Sequence, residues 1–175
     1  GGKIRFDTPM LFALGFITMF MVGGFTGIMH SSVPVDMQQQ DTYFVVAHFH
    51  YVLIGGALFG LFCGFYFWLP KMTGRMLNEK MGKVVFTLMF IGFNTTFFPM
   101  HYLGMIGQPR RTHSYNAGHG FEQWNQIATI GAFILGTGIL LGVIQFMRSF
   151  RDKSLKPAGK NPWDARSLEW ALSSP

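Results

Sequence analysis

Cysteine is almost missing from this chain. The single thiol, Cys63, lies inside an apolar run, so no disulfide can form within the chain and a cysteine metal site would lack its second sulfur. Its expected role is packing. Charge is scarce as well: Asp, Glu, Lys and Arg make up 13% of the 175 residues, against about 25% in soluble domains. With 49% hydrophobic and 17% aromatic residues, that scarcity excludes an ordinary soluble domain and points to a membrane protein. Acidic residues number 8 against 14 basic ones, for a formal net charge of +6. The basic residues fall in short clusters between apolar stretches, so no nucleic-acid partner is expected. An initiator Met is missing before Gly1, and the first apolar stretch is too long for a signal peptide and lacks its cleavage site. The start therefore reads as a cut, and the end at Ser173-Ser174-Pro175 reads as a polar tail rather than a finished domain.

Four apolar runs remain, at about 8–29, 43–69, 84–103 and 127–147. Each can cross a hydrocarbon core of about 30 Å, which takes about 20 helical residues. Strands do not compete, because an open sheet edge cannot be satisfied in lipid. The predicted fold is all-α and integral to the membrane, with a four-helix transmembrane segment over 1–150 and a polar tail over 151–175 on the inner side. Glycines recur at four-residue spacing, Gly23 with Gly27, Gly56 with Gly60 and Gly64, and Gly138 with Gly142. Small residues at that spacing let membrane helices approach closely, so these faces are expected to meet other helices or a flat ligand.

Basic residues orient the bundle, since Lys and Arg collect on the cytoplasmic or equivalent side. Lys3 and Arg5 precede the first span. Lys71, Arg75, Lys80 and Lys83 lie between the second and third, and Arg148, Arg151, Lys153, Lys156, Lys160 and Arg166 follow the fourth. All belong to one side. The loop from His30 to Thr42 has no Lys or Arg and carries Asp36 and Asp41, so it faces outward. Only Arg110 and Arg111 break the rule, side by side in the other outer loop. Bidentate guanidinium groups there would hold an anion near the outer face. Solvation, lipid phosphate, or contact with Asp36 and Asp41 would explain the pair equally well.

The run Tyr43-Phe44-Val45-Val46-Ala47-His48-Phe49-His50-Tyr51-Val52-Leu53 sets two imidazoles in a span free of charge, where polar groups are costly and usually functional. A lone histidine there is commonly a neutral group bonded to a neighbouring helix; two at this spacing are a stronger signal. At about 100° per residue, positions i and i+2 lie about 200° apart, so His48 and His50 face opposite ways and cannot share one ion. They can each give an axial nitrogen to a large flat cofactor, with Phe49 on the backbone between. Haem suits such a helix, because His is its usual protein ligand. His48 is five residues past Tyr43, about 8 Å from the outer end. Haem propionates at that depth would be anions within reach of Arg110 and Arg111.

Four stretches occur in order: Asp41-Thr42-Tyr43-Phe44-Val45-Val46-Ala47-His48-Phe49-His50-Tyr51-Val52, Trp68-Leu69-Pro70-Lys71-Met72-Thr73-Gly74, Thr96-Phe97-Phe98-Pro99-Met100-His101-Tyr102-Leu103-Gly104 and Gly107-Gln108-Pro109-Arg110-Arg111. Together they closely resemble subunit I of the haem-copper oxidases, in the cytochrome c oxidase branch, over its last four of twelve core helices. The resemblance implies that His48 is the proximal, catalytic-site ligand of the high-spin haem, and His50 an axial ligand of the low-spin haem. Electrons would cross near Phe49. Arg110 and Arg111 match the pair that binds haem propionates, Asp36 an acidic position near those of the high-spin haem, and Asp41 a ligand or neighbour of Mg or Mn, a hard cation suited to carboxylate. One departure stands out: where this branch usually has His before that aspartate, the chain has Gln40, which brings no imidazole to the Mg site or to a propionate. Gln38 and Gln39 offer no obvious replacement. His101 is expected to be structural, and His30, His113 and His119 to be solvated in outer loops.

The resemblance further implies two haems, of haem A type, and a copper whose ligands lie upstream of this chain. The fragment alone would then not reduce oxygen. Implied partners are the remainder of subunit I, subunit II with a dicopper centre, subunit III, cytochrome c, O2 and membrane lipid. The implied setting is the bacterial plasma membrane, favoured over the mitochondrial inner membrane, and the implied function is respiratory reduction of O2 to water coupled to proton translocation. A quinol-oxidising relative is the near alternative. A non-enzymatic transporter or channel with a histidine proton relay is the remote one, and it predicts no bound haem.

Overall fold

A computed structural model describes residues 4–172. Lys3 of the inner basic set, and both chain ends named above, lie outside the described residues. Helices α1 (Thr8–Ser31), α2 (Val33–Gln39), α3 (Tyr43–Val52), α4 (Phe59–Thr73), α5 (Glu79–Met105), α6 (Glu122–Arg151) and α7 (Leu168–Ala171) follow in order, with a π-helical stretch at Leu53–Leu58 joining α3 to α4. Among the described residues there is no strand; two isolated bridges, Thr42 with Pro109 and Arg75 with Pro157, fasten loops. Thr8–Ser31, Tyr43–Thr73, Glu79–Met105 and Glu122–Arg151 are long and apolar enough to cross a membrane, as the sequence predicts.

The last two spans run several residues beyond their apolar cores because their ends are capped by polar chemistry. Asn78 accepts from the amide of Met81 at 3.0 Å and Glu79 occupies the first turn of α5. Arg148 and Arg151 sit in the last turn of α6, where they favour the negative end of the helix dipole. Pro9 and Pro34 stand in the first turns of α1 and α2, where a missing N–H costs nothing. Gly74, at φ 68°, ends α4 in the left-handed conformation that favours glycine.

The core lies between α1, the α3–π–α4 span and α5. Phe12, Phe59, Phe62 and Tyr66 fill its inner half, and Met19, Tyr51 and Phe93 its middle. Along α3 the buried residues are Phe44, Ala47 and Tyr51, the i, i+3, i+7 stripe of a helix packed between two others. Helix α6 lies on α5 so closely that a Cβ at Gly92 would touch the backbone of Leu135, and one at Gly131 would stand 2.5 Å from the amide nitrogen of Thr96. Not every glycine stripe is used. Gly23, Gly27, Gly56, Gly138 and Gly142 meet neighbouring helices, but Gly60 has nothing within 4 Å and Gly64 meets only Trp68 of its own helix. Those two lie opposite Phe59, Phe62, Tyr66 and Leu69, the residues that turn α4 toward the core.

The tail is packed against the helix ends. The indole of Trp163 donates to the carbonyl of Phe67 at 2.9 Å, and Trp170 is buried, edge-on to Phe67 at 5.1 Å. Backbone bonds from Met76 to Lys156 (2.8 Å) and from Ala158 to Gly74 (2.9 Å) tie it to the α4–α5 loop.

Candidate metal centre

Helix α1 crosses α3 on one face, Gly23, Thr26, Gly27 and His30, at the three- and four-residue spacing that aligns side chains along a helix. A Cβ at Gly23 would lie 2.9 Å from Val52, and one at Gly27 would lie 3.1 Å from Cε1 of His48. The imidazole of His48 therefore packs directly against the bare Cα of Gly27. Its Nδ1 is 2.9 Å from Thr26 Oγ1. That hydroxyl spends its one proton on the carbonyl of Gly23 at 2.9 Å, so it accepts from Nδ1–H, and this tautomer leaves Nε2 as the ring's lone-pair donor.

His50 turns the other way. Its ring stacks on Phe97 of α5, centroids 4.2 Å apart and 15° from parallel. Nδ1 lies 2.7 Å from the carbonyl of Val46, which again leaves Nε2 free to ligate. Phe49 leans toward His50, with centroids 4.5 Å apart. A carbonyl or hydroxyl on the outer nitrogen is the usual support of a metal-bound histidine, fixing tautomer and orientation. The donor set thus fits one haem iron on each face of α3, and no single ion could join both rings.

The outer loops are fixed to each other. The amide of Arg110 donates to the carbonyl of Asp41 at 2.8 Å, the amide of Tyr43 to that of Gln108 at 3.0 Å, and the guanidinium of Arg110 pairs with the Asp41 carboxylate. Arg111 is exposed and, at φ 64°, left-handed like Asp41 at φ 59°. Asp41 therefore stands opposite a cation, and among the described residues no group of three or more His, Cys, Asp or Glu is arranged to hold a metal. Asp36 lies in α2 and takes His30 as its partner, Oδ1 to Nδ1 at 3.2 Å.

His30 corrects an expectation. It is not solvated in a loop: it belongs to the last turn of α1, and its ring packs against His48 and Phe44. The phase that carries Thr26 and Gly27 toward α3 carries His30 there too. Thr26, His30 and Phe97 are the neighbours of the histidine pair that the linear reading missed; for the first two, spacing from Gly23 and Gly27 was an available signal. His101 lies buried among Phe44, Tyr51 and Phe98.

An all-helical bundle with four spans long and apolar enough to cross a membrane defines a class of integral membrane protein. The fold matches that of a heme-copper terminal oxidase dimer solved by cryo-EM, with a TM-score of 0.73 over 86% of this chain and 28% of that one, at 20% identity. Residues 1–134 match the family model described as Cytochrome C and Quinol oxidase polypeptide I, and the chain belongs to that family. Over its whole length it is 49% identical to cytochrome c oxidase subunit 1 of Alkalihalophilus pseudofirmus, covering 28% of that protein. It is 51% identical to the subunit of the same name from Synechocystis, covering 31%. Over 99% of its length it is 47% identical to quinol oxidase subunit 1 of Bacillus spizizenii, covering 27%. The chain spans less than a third of the length of each of these relatives. The family carries haem and copper in the full subunit, and its members are membrane proteins.

Proposed function

We propose that this chain forms the haem-ligating C-terminal part of the catalytic subunit of a respiratory terminal oxidase. Four electrons from cytochrome c and four protons would reduce O2 to two waters, coupled to proton translocation. The observation that carries the reading is the pair of histidines on opposite faces of α3, each with Nδ1 engaged by the protein. When bound, the two haems would supply electron transfer and, with a copper held by residues outside this chain, oxygen reduction. This chain's residues do the holding. His48 gives Nε2 to the high-spin haem from a ring fixed by Thr26 and Gly27, and His50 gives Nε2 to the low-spin haem while stacked on Phe97. Phe49 lies between the two sites. Arg110 and Arg111 balance propionate charge at the outer face, Asp36 borders it, and Asp41 orients Arg110 or, with partner ligands, holds Mg or Mn. Residues 1–150 form the transmembrane segment, 151–175 the inner tail, and the remaining subunit I helices with subunits II and III complete the enzyme.

The test is the reduced haem spectrum of the intact subunit carrying His50→Ala, which should lose its low-spin component; an unchanged spectrum sinks the assignment. The quinol oxidase relative supports a second reading, in which a membrane quinol replaces cytochrome c. Dicopper ligands in the partner subunit decide between the two.

A further inference from the structure

Among the described residues, the buried Nε2 of His30 has no hydrogen-bond partner, and it lies beside the face that carries His48. The His30 ring meets that of His48 with centroids 5.0 Å apart at 62° and that of Phe44 at 5.4 Å and 79°. Asp36 engages Nδ1 at 3.2 Å, and the side chain is only 15% exposed. A buried ring nitrogen without a protein partner is costly and calls for one outside the chain. Gln40, later in the same loop, is exposed and has no imidazole to offer. Its backbone N–H donates to the backbone carbonyl of Asp36 at 2.7 Å, capping the helix that carries Asp36.

We propose that His30 Nε2 hydrogen-bonds a carboxyl group of the haem ligated by His48, with Asp36 fixing the ring through Nδ1. The inference rests on the reading of His48 as a haem ligand. The two acid side chains are the only anionic groups on the rim of a haem and its strongest hydrogen-bond acceptors, so a polar atom buried beside the axial ligand has a carboxyl as its matching group. One proton lies between the ring nitrogen and the carboxyl oxygen, and no bond is made or broken. His30 is thus a positioning residue for the high-spin haem.

The experiment uses the complete oxidase carrying His30→Leu or His30→Gln, read by resonance Raman bands of the propionates and by the midpoint potential of each haem. In His30→Leu the propionate-bending band of the high-spin haem shifts and its potential falls, because a carboxylate freed from a hydrogen bond puts more negative charge near the iron. The low-spin haem keeps both values. His30→Gln, whose amide still bonds a carboxylate, gives smaller shifts of the same sign. Wild-type band and potential in both variants overturn the inference, as do equal shifts at both haems. If His30→Leu does not assemble, His30→Gln decides by the same two signals. A pyridine haemochrome assay that finds no haem in the wild type removes the proposed function itself, a failure distinct from a haem-loaded enzyme that ignores His30.

Discussion

Replacing Thr26 by valine keeps the shape of the side chain and deletes one oxygen. That oxygen accepts from His48 Nδ1 at 2.9 Å and donates to the Gly23 carbonyl at 2.9 Å, so valine leaves a ring N–H unpaired against α1. An unsatisfied buried donor costs about 1–3 kcal/mol, equivalent to about a 5- to 150-fold loss in an equilibrium constant. Deletions behind metal-bound histidines cost about 10- to 100-fold in affinity, the same range. The high-spin haem of the intact Thr26→Val subunit should be lost about that much more readily under a detergent challenge. Its iron–histidine stretching band should fall, since the ligand becomes less basic, while the low-spin haem is untouched. Thr26→Ser, which keeps the hydroxyl, should behave as wild type. Wild-type haem retention and an unmoved band in Thr26→Val would refute the tautomer assigned to His48 and the role given to Thr26.

Gly104→Ala should destabilise the outer end of the bundle by about 1–3 kcal/mol or more, the cost of overpacking, because its Cβ would lie 2.7 Å from Cα of Phe44 and backbone cannot rotate away; thermal loss of the Soret band measures it. Tyr51→Phe removes a 2.8 Å hydrogen bond to Asn94 Oδ1 at a cost of about 1–3 kcal/mol, read as a lower melting temperature with both haem spectra intact. Asp41→Asn should cost about 0.2–1 kcal/mol, because the carboxylate is 72% exposed and solvent screens such pairs; raising the salt concentration should narrow its difference in melting temperature from wild type. Trp170→Ala should free the tail, since the indole is 2% exposed and a cavity of that size costs about 3–5 kcal/mol; faster tryptic cleavage after Lys153 or Lys160 with an unchanged haem spectrum is the expected outcome.

Spans and the opposed histidines are legible in the sequence because each rests on local periodicity. Partner choice is not local. The glycines at 92, 104 and 131 lie outside the four-residue pairs singled out above, yet they make the tightest crossings, because what matters is the backbone they meet, Leu135, Phe44 and Thr96. The stripe at Gly60 and Gly64 has the right spacing and, among the described residues, no neighbouring helix against it. Composition likewise makes 151–175 a polar tail, although its two tryptophans carry a different signal: Trp163 and Trp170 pack on Phe67, the large apolar contact that can dock an otherwise polar segment.

The candidate site divides along the same line. Opposite directions for His48 and His50 follow from helix geometry alone, but what lies beneath each ring depends on which helix crosses there. Once α1 is known to cross α3 with Gly23 opposite Val52 and Gly27 opposite His48, one further turn of α1 delivers His30 to Phe44 and His48. The three contacts run in reverse order along the two helices, as an antiparallel pair requires. A residue three or four positions from a known contact on the same helix must fall on the same face. His30 therefore faces inward for the same reason that Gly27 does, and its pairing with Asp36 follows from that placement rather than from the shortness of the loop between them.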